Sequence, residues 1–153
     1  MKEPIKTSSD SEQQSIKEEN KELVRRWIMT TDAQEFDSYD KFLSSDVVSH
    51  LPGSILNRIE IEQFERSFAD AFPDASRTIE DLIAEDDKVV MRETFIGTHL
   101  GTFNGVPATG RKIQIGAIVI YRISNQKIVE TWGEADFAGL MIQLTESDST
   151  FSK

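Results

Sequence analysis

Two periodicities divide the chain. From Ile16 the apolar positions fall at Ile16, Leu23, Val24, Trp27 and Ile28, with Lys17, Glu18, Lys21, Arg25 and Arg26 largely off that face, the spacing of an amphipathic helix. A short second helix is predicted from Phe36 to Leu43, ending near Ser44-Ser45. A third, from Ile59 to about Phe72, carries Ile61, Phe64, Phe68 and Phe72 on one stripe and is closed by Pro73-Asp74. Between these two, Val47 and Val48 with His50 after them read as a short strand stopped by Pro52-Gly53. Beyond Pro73 the period changes to two. Arg77 to Ala84 alternates around Ile79, Leu82 and Ile83, and Glu85-Asp86-Asp87 makes a polar turn. The next strand, Val89 to Thr98, puts Val89, Met91, Glu93 and Phe95 on one face and Val90, Arg92, Thr94 and Ile96 on the other. Gly101 to Gly110 reads as a glycine-rich loop, expected to be a mobile flap over a pocket mouth. Arg111 to Ile123 and Lys127 to Ala135 form a hairpin across Ser124-Asn125-Gln126, and Phe137 to Leu144 a last short helix.

Three helices and one early strand therefore precede a run of long antiparallel strands. No internal repeat and no βαβ alternation is present, which disfavours parallel doubly wound folds. The expected fold is α+β: a cone-shaped, curved antiparallel sheet with three N-terminal helices packed on it, enclosing a pocket. Such an interior is a natural ligand site. One domain over residues 16–145 is expected, with a polar N-terminal tail at 1–15 and a polar C-terminal tail at 146–153.

Composition narrows the chemistry. A formal charge of -10 over 153 residues repels phosphate backbones, so a nucleic-acid partner is not expected. There is no cysteine, which removes disulfides, thiolate metal sites and cysteine nucleophiles. The two histidines, His50 and His99, form no paired-ligand spacing, so no metal is expected. The beginning lacks the apolar segment of a signal peptide, and the run Ile113 to Tyr121 is too short to span a bilayer. A cytoplasmic protein without a membrane partner is the expectation. The glycines at 97, 101, 105 and 110 spell no phosphate loop, and no Gly-x-Ser-x-Gly elbow occurs.

The second half resembles the SnoaL-like polyketide cyclase (ester cyclase) family of the nuclear-transport-factor-two-like superfamily. The resemblance is carried by Gly97-Thr98-His99-Leu100-Gly101, Pro107-Ala108-Thr109-Gly110-Arg111 and Tyr121-Arg122-Ile123. It continues in Lys127-Ile128-Val129-Glu130-Thr131-Trp132, Asp136 and Leu140-Met141-Ile142-Gln143-Leu144. With Phe72-Pro73-Asp74 it spans roughly residues 20 to 144. Family members that close polyketide rings do so by intramolecular aldol condensation with neither metal nor organic cofactor. The resemblance thus implies a small apolar organic ligand, no cofactor, and Asp136 as the acid/base. A carboxyl group in an apolar pocket can take a proton beside a carbonyl and return it to the new alkoxide. The same Asp136 directly precedes the apolar segment Phe137 to Leu144 and would equally serve as that helix's cap. At the position of Thr131 the family commonly has His.

Other candidates come from residue type and position. His50 and His99 could share a proton with a carboxylate or polarise a carbonyl. Trp132 alternates with Glu130, Glu134 and Asp136, and an indole on the inner face would wall a planar ligand. Arg92, in mid-strand, would bind a ligand oxygen or pair with Glu130 or Glu134 as a structural bridge. Tyr121 could donate a phenolic hydrogen bond. Three readings stay open: a cofactor-free cyclase or isomerase, a non-catalytic binding or dimeric interaction module, and water addition of the epoxide-hydrolase kind. The last needs an Asp–Arg–Asp set, of which Arg92 and Asp136 supply two members. Both faces of the strand Ile113 to Ile120 are greasy, so a homodimer is expected.

Overall fold

The structure, a computed structural model, describes residues 8–146. Helix α1, Ser8–Asp32, begins within the stretch expected as tail, and residues 1–7 and 147–153 lie outside the described residues. A short 3-10 helix, Phe36–Lys41, follows and buries Tyr39. Strand β1, Leu43–Leu51, is longer than the sequence pattern suggests. Pro52-Gly53 does not end the sheet there but turns the chain into a short strand β2, Ser54–Leu56, with Gly53 at a φ of 78°. Helix α2, Arg58–Ala71, starts at a full capping box: Asn57 Oδ1 accepts from the Glu60 amide, and Glu60 Oε2 accepts from the Asn57 amide, at 2.9 and 2.8 Å.

Four long strands complete the sheet: β3 Ser76–Glu85, β4 Lys88–Thr98, β5 Lys112–Ser124 and β6 Lys127–Ala135. Helix α3, Phe137–Thr145, ends the described chain. The strand order is β2-β1-β6-β5-β4-β3. Every neighbouring pair is antiparallel except β1 with β6, which run parallel. Register shifts between Leu43 and Val48, Ile79 and Asp81, and Arg122 and Ile123 mark irregularities that add twist. The resulting curled six-stranded sheet carries the helices on its inner face and confirms the expected α+β architecture.

Two apolar clusters fill that face. One gathers Val24, Trp27, Tyr39, Leu43, Val47, Met91 and Ile128. The other gathers Phe68, Phe72, Phe95, Ile115, Leu140 and Leu144. The loop after β4 is bound to the second cluster. The Leu100 and Gly101 amides both donate to the Ala71 carbonyl at the end of α2, at 2.9 and 3.1 Å. A Cβ at Gly101 would stand 2.2 Å from the Asp70 carbonyl oxygen, so glycine is what allows this approach. Phe103 packs on Phe68 and Phe72, and no residue from 100 to 110 lines the cavity described next. The loop is a fastened edge of the core, not a flap over a mouth.

Candidate functional site: a cavity with one charged wall

Between the helices and the inner face of the sheet lies a cavity of about 140 Å³, roughly ten times the 10–15 Å³ or so that one water requires. Its walls are mostly apolar. Trp27 and Ile28 come from α1, Ile61, Phe64 and Phe68 from α2, and Phe95, Ile115 and Val119 from the sheet. Both apolar clusters contribute, so the cavity is the space where they fail to meet.

Against those walls stands a charged group of residues around Arg77, and Glu134 of β6 adds a further carboxylate to the lining. Arg77 on β3 has its side chain 12% exposed. Its Nη1 donates to Asp32 Oδ1 at 2.9 Å and to Thr31 Oγ1 at 3.2 Å, and its Nη2 donates to Glu65 Oε2 at 3.1 Å. The Arg77 amide also donates to Asp32 Oδ2, and the guanidinium lies 5.3 Å from the Phe95 ring centroid. One cation thus fastens α1 and α2 to the sheet. Glu93, from the apolar face of β4, comes third: its Oε2 is 3.8 Å from Arg77 Nε, too far for a hydrogen bond. That oxygen is buried and has no hydrogen-bond partner.

The electrostatics follow from this count of three carboxylates to one guanidinium. Burial pushes the Glu93 carboxyl up to about 7, Arg77 pulls it back in part, and the charges of Glu65 and Asp32 push it further up. For Arg77, burial disfavours the charge, but Glu65, Glu93 and Asp32 outweigh it and hold the guanidinium charged. Tyr121, fully enclosed on the cavity wall, has its phenol raised by burial first and by Glu93 next. Elsewhere on the wall, Thr131 Oγ1 donates to Ser49 Oγ at 2.8 Å, a pair of hydroxyls joining β6 to β1. Among the described residues, no group of three or more His, Cys, Asp or Glu side chains is arranged to hold a metal ion, and no helix is long and apolar enough to cross a membrane.

The sequence profile of the SnoaL-like polyketide cyclase family matches residues 21–144. The chain belongs to that family. Among solved structures, the SnoaL-like protein is similar to AclR, a candidate hydroxylase from Streptomyces galilaeus, at 24% identity and a TM-score of 0.79, covering 86% of this chain and 98% of that one. It is similar to a candidate SnoaL-like polyketide cyclase from Jannaschia sp. CCS1 at 20% identity and a TM-score of 0.80, over 86% and 95% of the two chains. TsrD from Streptomyces laurentii shares 28% identity at a TM-score of 0.76, over 84% and 96%. Among curated proteins none matches.

The residues singled out by sequence divide between the two faces of the sheet. Tyr121 lies on the cavity lining. Asp136 does not occupy a dry hollow: it is exposed and caps α3, its Oδ1 accepting the Gly139 amide at 2.9 Å. The Asp136 carboxylate fills the space over Gly139, where a Cβ would meet Oδ2 at 2.1 Å. Ala135 and Phe137 on either side do line the cavity, so Asp136 fixes the chain's turn at its edge. Trp132 and His50 are outside it as well. Thr131 and Gly133 of β6, with Ser49 and Leu51 of β1, face inward, and alternation turns Trp132 and His50 to the outer face. There the two rings stack, 5.5 Å apart and 6° from parallel. His50 Nε2 lies 2.8 Å from Glu130 Oε2, and Arg122 binds the other oxygen of Glu130.

His99 is fully buried but turned from the cavity. Its Nδ1 accepts the Thr109 amide at 3.2 Å and its ring packs on Phe72, fastening the loop after β4. Arg92 is a surface bridge, though to Asp81 at 2.6 Å and not to Glu130 or Glu134. Arg77, Glu93, Glu65 and Asp32 escaped notice in the sequence. The available signal was Glu93, a carboxylate in series with Val89, Met91 and Phe95.

Proposed function

We propose that the cavity binds a small, largely apolar carbonyl compound and that this SnoaL-like protein rearranges it by acid/base chemistry without a cofactor, as an aldol-type ring closure or an isomerisation. The observation that carries the reading is an apolar cavity with a carboxyl-bearing wall, in a chain of a cyclase family. Removing a proton beside a carbonyl leaves an enolate; its carbon joins a second carbonyl of the same molecule, and the alkoxide so formed takes the proton back. Nothing is gained or lost, so a dry site with a proton-carrying group suffices. Asp136 stands outside the cavity, as the cap of α3. The test is a panel of mono- and bicyclic ketones and β-keto esters, followed by NMR at the methyl groups of Ile61, Ile115 and Val119. Neutral ketones should shift those signals at millimolar concentration or below. Binding without any change in the ligand would leave a non-catalytic carrier, and a panel that shifts none of them sinks the reading.

The outer face favours a homodimer as its assembly. One row of the sheet reads Ile83, Val90, Ile120, Trp132, His50 and Ile55 across all six strands. Ile83 and Ile55 are 62% and 69% exposed. Two of the charge pairs on this face, Arg92 with Asp81 and Arg122 with Glu130, neutralise each other, which lowers the repulsion that a second copy of an acidic chain meets here. Sedimentation at micromolar concentration should give twice 17.3 kDa, and Ile83→Asp with Ile118→Asp should return the monomer. A monomer in the unaltered protein rejects this assembly.

A further inference from the structure

We infer that Glu93 is the group that carries the proton for the cavity's ligand, and that Arg77 is a positioning residue whose charge is already committed to Asp32 and Glu65. This rests on the acid/base reading above and names the residue and the ligand charge it implies. The Arg77 Nη atoms donate to Thr31, Asp32 and Glu65 at 2.9 to 3.2 Å, while Glu93 stands off at 3.8 Å with a buried, unbonded oxygen. A buried carboxylate oxygen without a donor is costly in the ionised form and much less so when the group holds a proton. The groups facing Glu93 are Asp32 on α1, Glu65 on α2, Arg77 on β3 and Tyr121 on β5. Their sum is negative and Arg77 approaches Glu93 without a hydrogen bond, so the carboxyl exchanges its proton near neutrality.

The same count decides the ligand. An arginine in an apolar cavity would ordinarily read as a receptor for a carboxylate or phosphate. Here it is occupied, and an arriving anion would meet Glu65, Glu93 and Glu134 on the cavity lining. The site therefore takes an uncharged carbonyl compound: ionised Glu93 accepts the proton from the carbon beside the carbonyl, the C–H electrons pass to the carbonyl oxygen, and the protonated Glu93 returns a proton to carbon or oxygen. In D2O, when the protonated Glu93 carboxyl exchanges its proton with solvent before returning it, the carbon-bound hydrogen is replaced by deuterium with no other change in the molecule.

2-Tetralone, a neutral bicyclic ketone with exchangeable hydrogens, tests this on the full chain by NMR. The protein should accelerate its deuteration with a pH profile rising around 7, where the 13C signal of the Glu93 carboxyl should also titrate. Glu93→Gln should slow exchange about 100-fold while the ketone's Kd stays within about threefold, Glu93→Asp should keep a measurable rate, and Asp136→Asn should exchange like the unaltered protein. Arg77→Lys should move the profile along the pH axis, which a purely structural role would not do. 2-Naphthoate should bind at least about tenfold more weakly than the ketone, since like charges in a low-dielectric site repel. Full exchange in Glu93→Gln, a Glu93 carboxyl titrating at the ordinary 4.5, or tighter binding of the anion would each overturn the inference. If 2-tetralone leaves the cavity methyl groups unshifted while Glu93 still titrates near 7, the binding reading fails and the assignment of the proton to Glu93 stands.

Discussion

Arg92 and Glu93 are neighbours in sequence on β4, and they live in different solvents. Arg92 faces outward, half exposed, and meets Asp81 at 2.6 Å where water screens both. Glu93 faces inward at 8% exposure, beside an Arg77 that two other acids already hold. The shorter ion pair is the weaker one in consequence. A surface pair contributes about 0–1 kcal/mol, whereas breaking a buried set by removing one partner costs several. What a charge does here depends on its face of the sheet more than on its distance to a partner.

The comparison can be broken most forcefully at Arg77. Arg77→Met strands Asp32, Glu65 and Glu93 together and should cost about 3–5 kcal/mol in urea unfolding; a loss below about 1 kcal/mol would mean the inner face is as wet as the outer. The next largest effect belongs to Glu93 and pH. Burial pushes its carboxyl up from the ordinary 4.5 to about 7, so the folded state holds the proton more tightly. Stability should therefore fall as pH rises from about 4.5 to 7, by up to about 3 kcal/mol. Glu93→Gln should flatten that slope and be more stable than the unaltered protein at pH 8, which unfolding at a series of pH values will show. Asp136→Ala should lose about 1 kcal/mol through its helix cap and leave ketone binding unchanged; a lost ligand would return Asp136 to the site. Smallest of all, Arg92→Met should shift stability by less than about 1 kcal/mol, and the difference from Arg77→Met measures the contrast between the two faces.

Much of the fold was legible because each element carries its own period. The stripe Ile61, Phe64, Phe68 and the alternation from Val89 to Phe95 are local facts, and α2 and β4 follow within a residue or two. The parallel pairing of β1 with β6 was not legible, since it joins residues about eighty positions apart, such as His50 and Trp132. The site was less legible still. Alternation puts Arg92 and Glu93 on opposite faces without saying which one is inside, and a mid-strand arginine draws the eye to the wrong one. Trp132 and His50 misled in the same way: an indole reads as interior, yet the row that holds it faces out. Asp136 is the acid/base that the resemblance implies and, from its place before an apolar run, a candidate helix cap; its geometry is that of the cap. The Arg77 cluster draws on α1, α2, β3 and β4, so no window of sequence contains it.

The parallel contact between β1 and β6 also sets an order of events. Strand β1 spans Leu43–Leu51, but its principal neighbour, β6, begins only at Lys127. A chain emerging from the ribosome must hold β1 without its long partner until the last strand has been made. Closing so large a loop is slow relative to local pairing, so the hairpins β3–β4 and β5–β6 should form before the first strand is seated. The Ser49–Thr131 hydroxyl pair would then be among the last of these contacts to close, and the cavity would be complete only after β6 had been translated.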